Sequence, residues 1–168
     1  MNYVTFGGVT VGLMLLAHQL FTWWPGRKAL MKDPARQAAE LLPFLASWAY
    51  GALTTLGVGG LIGTASSAVL GLSNWLGDAA LVWGVGGNAG ELAARGTFLP
   101  LTGPGVAIVL ILTVAVVVSA KKSKHGSAIK RGTWCGITLG TSAGVAGFAA
   151  VPLATAANWL GGTVYGAL

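Results

Sequence analysis

The chain has 168 residues, of which 54% are hydrophobic and only 8% are charged, against roughly 25% charged in an average soluble domain. So few charged side chains cannot cover a surface exposed to water. The composition therefore excludes an ordinary soluble domain and indicates a membrane protein. The formal net charge of +6 comes from ten basic and four acidic residues. The single cysteine, Cys135, excludes an intrachain disulfide and a cysteine-based metal cluster.

The first predicted span covers residues 3–24, which carry no formal charge. As a helix this segment is about 33 Å long, enough to cross a hydrocarbon core of roughly 30 Å. The positive residues Arg27 and Lys28 follow the segment, whereas a signal peptide begins with its positive charge. We therefore predict a retained span with its N-terminus outside. His18 and Gln19, near its inner end, are predicted to be interfacial or helix-contact residues rather than a proton relay.

A basic loop follows this span. Its positive residues are Arg27, Lys28, Lys32 and Arg36. Asp33 followed by Pro34 predicts a helix N-cap and a first helical residue, so the next helix should begin along the membrane surface. Pro43 predicts the bend at which the chain enters the membrane. Glu40 is expected to pair with Arg36, four residues before it.

Three further apolar segments predict spans two, three and four, over residues 44–63, 104–120 and 133–153. The segment from 64 to 103 carries a net charge of −1. Within it, the helical spacing of apolar residues over 70–84 predicts a short interfacial helix, with a fifth span as the other interpretation. Residues 89–103 are predicted to be an extracytoplasmic linker.

A second basic loop joins spans three and four. Its positive residues are Lys121, Lys122, Lys124, Lys130 and Arg131. Short loops rich in lysine and arginine mark the cytoplasmic side, and the two basic loops agree. We predict a multi-pass protein of the cell membrane with both termini outside. Tryptophans near the ends of the spans are typical of the headgroup zone, and Trp75 and Trp159 are the predicted outer anchors.

The sequence also contains an internal repeat. At an offset of 84 residues, the NWLG at 74–77 aligns with the NWLG at 158–161, and eight of the 25 aligned positions from 53 to 77 are identical. We predict an all-α integral membrane protein of four transmembrane helices. They form two tandem helical hairpins, residues 1–88 and 104–168, with short interfacial helices. Both halves enter from the same side, so the repeat is parallel. The NWLG asparagines, Asn74 and Asn158, are expected to cap helices or to hydrogen-bond across the halves.

Glycines recur every four residues, a spacing that lets helix backbones approach closely. The predicted helix-packing glycines are Gly59, Gly63, Gly132, Gly136, Gly140 and Gly144. Two interpretations remain open, because the close contact forms either within one monomer or between subunits.

The chain offers few groups for catalysis. It has four acids and two histidines, and neither of the patterns HExxH and GxxxxGK[ST]. We predict no enzymatic activity, no cofactor and no metal. The nine loop lysines and arginines suit anionic lipid headgroups, at about 1 kcal/mol each. Nucleic acid in transit is the other interpretation, since its phosphates reward clustered cations.

The two basic loops, from Arg27 to Arg36 and from Lys121 to Arg131, each join a pair of Gly/Ala-rich apolar segments. This arrangement resembles the pilin subunits of conjugative type IV secretion systems, as if two were fused, although we expect the chain to differ from that family in having no cleavable leader. The composition is also similar to the small spread-type membrane proteins of actinobacterial plasmids and integrative elements. Either resemblance implies a helper or structural subunit in DNA transfer.

The predicted function is therefore a non-enzymatic membrane subunit that associates with copies of itself. A holin-like pore former is the alternative from another class, and a small transporter is the third interpretation.

Overall fold

The computed structural model describes residues 3–56, 60–93, 100–142 and 149–167, without the side chains of Arg27 and Ala29. Within these ranges the protein is all-helical. The described helices are α1 (Phe6–Trp23), α2 (Arg27–Lys32), α3 (Pro34–Ala39), α4 (Leu42–Thr54), α5 (Gly60–Val85), α6 (Gly103–Lys122), α7 (Gly126–Gly140) and α8 (Ala150–Gly166).

Among the described residues, three helices are long and apolar enough to cross a membrane: α1, α5 and α6. Helices α1 and α6 coincide with the predicted first and third spans. The predicted spans 44–63 and 133–153 are wrong as continuous helices, because α4 ends at Thr54 and α7 at Gly140. The predicted interfacial helix over 70–84 is also wrong as a separate element, since these residues belong to the continuous helix α5.

The two interrupted segments end in short helices. Helices α4 and α7 have 13 and 15 residues, so they are about 20 and 22 Å long, shorter than a hydrocarbon core of roughly 30 Å. At the end of α4, the Thr54 and Thr55 hydroxyls donate to carbonyl oxygens three residues earlier, both at 2.7 Å. Thr141 and Ser142 do the same at the end of α7, four and three residues back, also at 2.7 Å. These hydroxyls satisfy carbonyls that a further helical turn would have bonded, so the helices end among buried side chains.

Helices α4 and α7 form the most extensive helix contact of the fold. The α7 glycines at 132, 136 and 140 face Phe44, Trp48 and Ala52 of α4 in turn. Both sets of numbers rise together, so the two helices run parallel, as the predicted parallel repeat requires. A Cβ atom on Gly136 would collide with the Trp48 carbonyl oxygen, and one on Gly51 with the Thr133 carbonyl oxygen. The backbones therefore touch within one chain. Gly63 is buried in α5, while Gly59 and Gly144 lie outside the described residues.

Apolar side chains extend this contact beyond α4 and beyond α7. Val109 of α6 and Ala154 of α8 pack with Tyr50 and Leu53 of α4 in one buried cluster. On the other side, α1 packs against α7, where Gly12 accommodates side chains of α7. Helix α7 is thus the centre of the fold, with ten of its fifteen residues buried.

The asparagines of the two NWLG elements hold the chain just before the first helix of their own half. Asn74 Oδ1 accepts from the Thr5 N–H at 3.0 Å, and its Nδ2 donates to the Tyr3 carbonyl at 3.2 Å. Asn158 does the same with the Thr102 N–H at 2.8 Å and the Pro100 carbonyl at 3.2 Å. The asparagines therefore bond within each half, and the predicted bond across the halves is wrong.

The first helices of the two halves also correspond. Thr5 and Thr102 are the N-caps of α1 and α6, and their hydroxyls accept from the N–H of Gly8 and Gly105. The caps are 102 − 5 = 97 residues apart, whereas the NWLG elements are 84 apart. The first connection, which contains α2 and α3, is 18 − 3 = 15 residues longer than the second, and α6 is two residues longer than α1, which leaves the difference of 13. Each half is therefore a long helix, a short helix and a second long helix.

The contact between α1 and α5 excludes one arrangement of these two helices in a membrane. Asn74 lies near the middle of α5 and bonds to the residue that caps α1. Two spans packed side by side, each centred on the bilayer midplane, would contact each other middle to middle. Here the middle of α5 contacts the start of α1, so the two helices are not centred at the same depth.

Residues 91–93, predicted as linker, pair with the start of α1. The Phe6 N–H donates to the Glu91 carbonyl and the Ala93 N–H donates to the Val4 carbonyl.

The glycine contact generates the first prediction. Gly136→Ala should destabilise the fold by about 3 kcal/mol or more, the upper end of overpacking costs, because the added methyl meets backbone rather than a movable side chain. The free energy of unfolding is measured by SDS titration in mild detergent. Gly71→Ala in α5 is the matched control, since nothing lies within 4 Å of its added Cβ. Equal stability of the two variants would contradict the close contact.

The asparagine bonds generate the second prediction. Asn74→Ala leaves the Thr5 N–H and the Tyr3 carbonyl unpaired and should cost about 1–3 kcal/mol in the same titration. Asn158→Ala should cost less, because its hydrogen bonds are exposed. Asn88→Ala, at an exposed position, should change stability by less than about 0.5 kcal/mol. A loss at Asn88 as large as at Asn74 would argue against a specific contribution of the Asn74 bonds to Thr5 and Tyr3.

Candidate functional site: a basic cavity between α1, α3 and α7

The predicted phosphate-contact residues do not all line one cavity. Two of them, Lys124 and Arg131, line a cavity of about 210 Å³, open to the surface, between the ends of α1 and α3 and the start of α7. The side chain of Arg27 is not described. The other predicted contacts are exposed outside this cavity: Lys28, Lys32, Arg36, Lys121, Lys122 and Lys130.

Arg131 is fixed at the cavity by α1. Its Nη1 lies 2.7 Å from His18 Nδ1, and its Nε donates to the Ser127 carbonyl oxygen at 3.3 Å. Because a guanidinium only donates hydrogen bonds, His18 Nδ1 is the acceptor. His18 is therefore a contact between α1 and α7, which agrees with the helix-contact interpretation. The contact leaves further N–H donors of Arg131 for other partners.

Gln19 lies in the cavity wall and is almost fully buried, with 6% of its surface exposed. Its Oε1 has no hydrogen-bond partner among the described residues. A buried polar group without a partner costs about 1–3 kcal/mol. This oxygen is closed off, so the atom that Gln19 offers to a ligand in the cavity is its amide nitrogen.

The start of α7 faces the same cavity. Its N-cap residue, His125, makes no side-chain capping bond. In the described parts of the chain, the N–H groups of Ser127 and Ala128 also find no acceptor. Free N–H groups in a first helical turn give that end a partial positive charge. Ser127 and Ala128 both line the cavity, so this partial charge adds to that of the basic side chains.

Glu40 supplies the one carboxylate among the cavity-lining residues. It is the C-cap of α3, whose N-cap Asp33 accepts from the Arg36 N–H at 3.2 Å as predicted. The expected pair between Glu40 and Arg36 is wrong: across the described ranges no carboxylate lies in ion-pair distance of Arg36. The Trp23 Nε1 donates to the Gln37 carbonyl at 2.8 Å and ties α1 to α3. Glu40 is thereby held at the cavity beside α1.

A second cavity, of about 330 Å³, lies where α4 is interrupted. Tyr50, Thr54, Ser66 and Thr133 line it together with apolar side chains. The Tyr50 hydroxyl lies 3.0 Å from Thr113 Oγ1, and the Ser66 hydroxyl donates to the Thr54 carbonyl at 3.2 Å. The polar groups of this cavity are therefore largely paired with one another.

The basic cavity offers hydrogen-bond donors and positive charge to an anion. The described residues include no group of three metal-binding side chains. The predicted anchors Trp75 and Trp159 lie elsewhere, on the NWLG elements, and both are 67% exposed. Comparison with protein-family models, with curated proteins and with solved structures found no match.

Proposed function

We propose that this chain is a non-enzymatic membrane subunit that associates with copies of itself. The observation that carries the proposal is the uncovered face of α6, a helix of 20 residues of which only Gly105 and Val109 are buried. Its exposed large side chains are Val106, Leu110, Ile111, Val114, Val117 and Val118. At 100° per residue these six lie within about 140° of the circumference, so they form one ridge.

Such a ridge favours helix packing in lipid. Contacts between apolar helices depend on dispersion and shape, because lipid tails are as apolar as the side chains. Valine and isoleucine have few rotamers, so little conformational freedom is lost when a partner helix covers them. A second copy of α6 would bring an equally stiff ridge. That the resulting assembly serves DNA transfer is a prediction from the resemblance alone.

Self-association is tested by cross-linking. In a Cys135→Ala background, Val114→Cys should form disulfide-linked dimers in membranes under mild oxidation, because Val114 is 66% exposed on the ridge. Val109→Cys is the matched control on the same helix, since Val109 is 3% exposed and packs inward. Dimers that vanish when the protein is diluted in excess lipid, or that form equally at both positions, would refute a specific interface.

The orientation we propose places both basic loops in the cytoplasm, as the excess of positive loop residues favours. Ser123 is exposed in the turn between α6 and α7. In the Cys135→Ala background, Ser123→Cys should resist an impermeant thiol reagent in intact cells and react fully after permeabilisation. Labelling in intact cells would show that the loop lies outside and that the proposed orientation is wrong.

A second candidate function is the passage of a small solute. Helices α4 and α7 are both short and stop at corresponding positions of the two halves, and interrupted helices in repeated halves often flank transport sites. The cavity beside Tyr50 and Thr54 is adjacent to one of these breaks. Leakage of a fluorescent dye or loss of membrane potential in proteoliposomes would favour a pore or transporter, and tight membranes would favour the structural subunit.

A further inference from the structure

We infer that the basic cavity is a binding site for the phosphate group of one anionic phospholipid. The inference concerns the cavity formed by the ends of α1 and α3 and the start of α7, and it does not depend on self-association. Four kinds of observation meet there: its size, its hydrogen-bond donors, its charge and its position along α1.

The size suits a single phosphate. The cavity of about 210 Å³ holds several times the ~30 Å³ that one water occupies in the liquid. It is smaller than the roughly 300–1,000 Å³ of sites for drug-sized molecules and cofactors. A phosphate group with a few waters fits this volume, whereas a nucleotide does not.

Donors reach the cavity from separate elements. Arg131 retains N–H groups beyond those bonded to His18 and Ser127. Lys124 extends from the turn before α7, and the N–H groups of Ser127 and Ala128 have no acceptor within the described ranges. A tetrahedral phosphate offers oxygens in several directions and is commonly bound by a helix start together with basic side chains.

Gln19 is the observation that goes beyond charge. Its side chain is buried, lines the cavity, and has an unpaired amide oxygen among the described contacts. The oxygen itself is closed off from the cavity, so the group that this side chain offers to a phosphate oxygen is its amide nitrogen. Gln19 therefore adds an uncharged donor that burial holds in place.

The charge balance of the cavity is positive. Lys124 and Arg131 oppose the single carboxylate of Glu40, and in the described parts of the chain neither basic group is within ion-pair distance of a carboxylate. Glu40 therefore weakens the attraction for an anion without cancelling it. This predicts that removal of its charge strengthens binding, a change opposite in sign to the loss of a basic side chain.

The position of the cavity selects a lipid over a free anion or nucleic acid. It lies beside the last turn of α1, next to Trp23, which packs edge to face on Trp24 with 6.2 Å between ring centroids. Such rings prefer the headgroup layer at the end of a span. A cavity at that depth meets lipid phosphates directly. It admits one phosphate, whereas nucleic acid binding needs a track of cations for successive phosphates.

The test is lipid retention by the full chain, purified from phosphatidylcholine nanodiscs that contain a minority of phosphatidylglycerol and analysed by native mass spectrometry. Arg131→Gln and Lys124→Gln should each lower phosphatidylglycerol retention by about tenfold, as the loss of a charge-assisted bond predicts. Lys130→Gln is the matched control, because it removes the same charge beside Arg131 but outside the cavity. Its effect should stay below about twofold.

Two further variants keep the inference testable if a basic variant folds poorly. Glu40→Gln should raise retention severalfold, and Gln19→Leu should lower it although it removes no charge. Equal losses in the Lys124, Arg131 and Lys130 variants would overturn the site, since they would reveal a diffuse basic surface. Displacement of the lipid by inorganic phosphate, or by a single-stranded DNA oligonucleotide, would overturn the lipid as its ligand. If the Val114 cross-link does not form but the lipid is retained, the proposed self-association is wrong and the lipid site stands.

Discussion

The direct approach of the α4 and α7 backbones is the constraint on which the rest of the fold depends. In lipid, apolar side chains gain little by leaving their surroundings, so helices adhere only where their atoms come very close. Gly132, Gly136 and Gly140 provide that closeness on one side of α7. Gly12 of α1 provides it on the other side, where the Cys135 thiol also lies 3.3 Å from the Gly12 carbonyl. A side chain at an α7 glycine would separate α7 from α4, and one at Gly12 would separate α7 from α1, which lines the basic cavity with it.

The sequence predicted α1 and α6 because their signal is local, whereas it divided α5 between a span and an interfacial helix. A charge-free length indicates α1, a Val/Ile-rich run indicates α6, and Asp33 marks the start of α3. The interruptions after Thr54 and Gly140 were missed for a physical reason. An average of hydropathy over a spanning window treats threonine and glycine as nearly neutral, whereas here paired hydroxyls end a helix inside the fold. The Thr–Thr pair at 54 and 55 and the Thr–Ser pair at 141 and 142 were the available signals.

The cavity was predictable only in part. Lys124 and Arg131 were among nine candidate basic residues, but nothing in the loops distinguished them from Lys130 or Lys121. What distinguishes them is the antiparallel packing of α1 on α7, which brings together residues 113 positions apart, His18 and Arg131. Gln19 was the one local clue, since a glutamine in an apolar helix requires a partner. Which group partners a buried amide depends on tertiary contacts, and the residue pattern along one helix does not reveal those contacts.

The repeat also explains why the fold has one such cavity in its described parts rather than two. At the NWLG end both halves keep the same bonds, from Asn74 to Thr5 and from Asn158 to Thr102. At the basic end they differ, because 18 residues separate α1 from α4 whereas three separate α6 from α7. The longer connection forms α2 and α3 and carries Glu40 and Gln37 against the end of α1. The short turn after α6 has no room for such a wall, so it serves instead to place Lys124 and the start of α7 opposite α1. Two connections of unequal length thus turn a duplicated framework into an asymmetric site, with one half providing two walls and the other providing the positive charge.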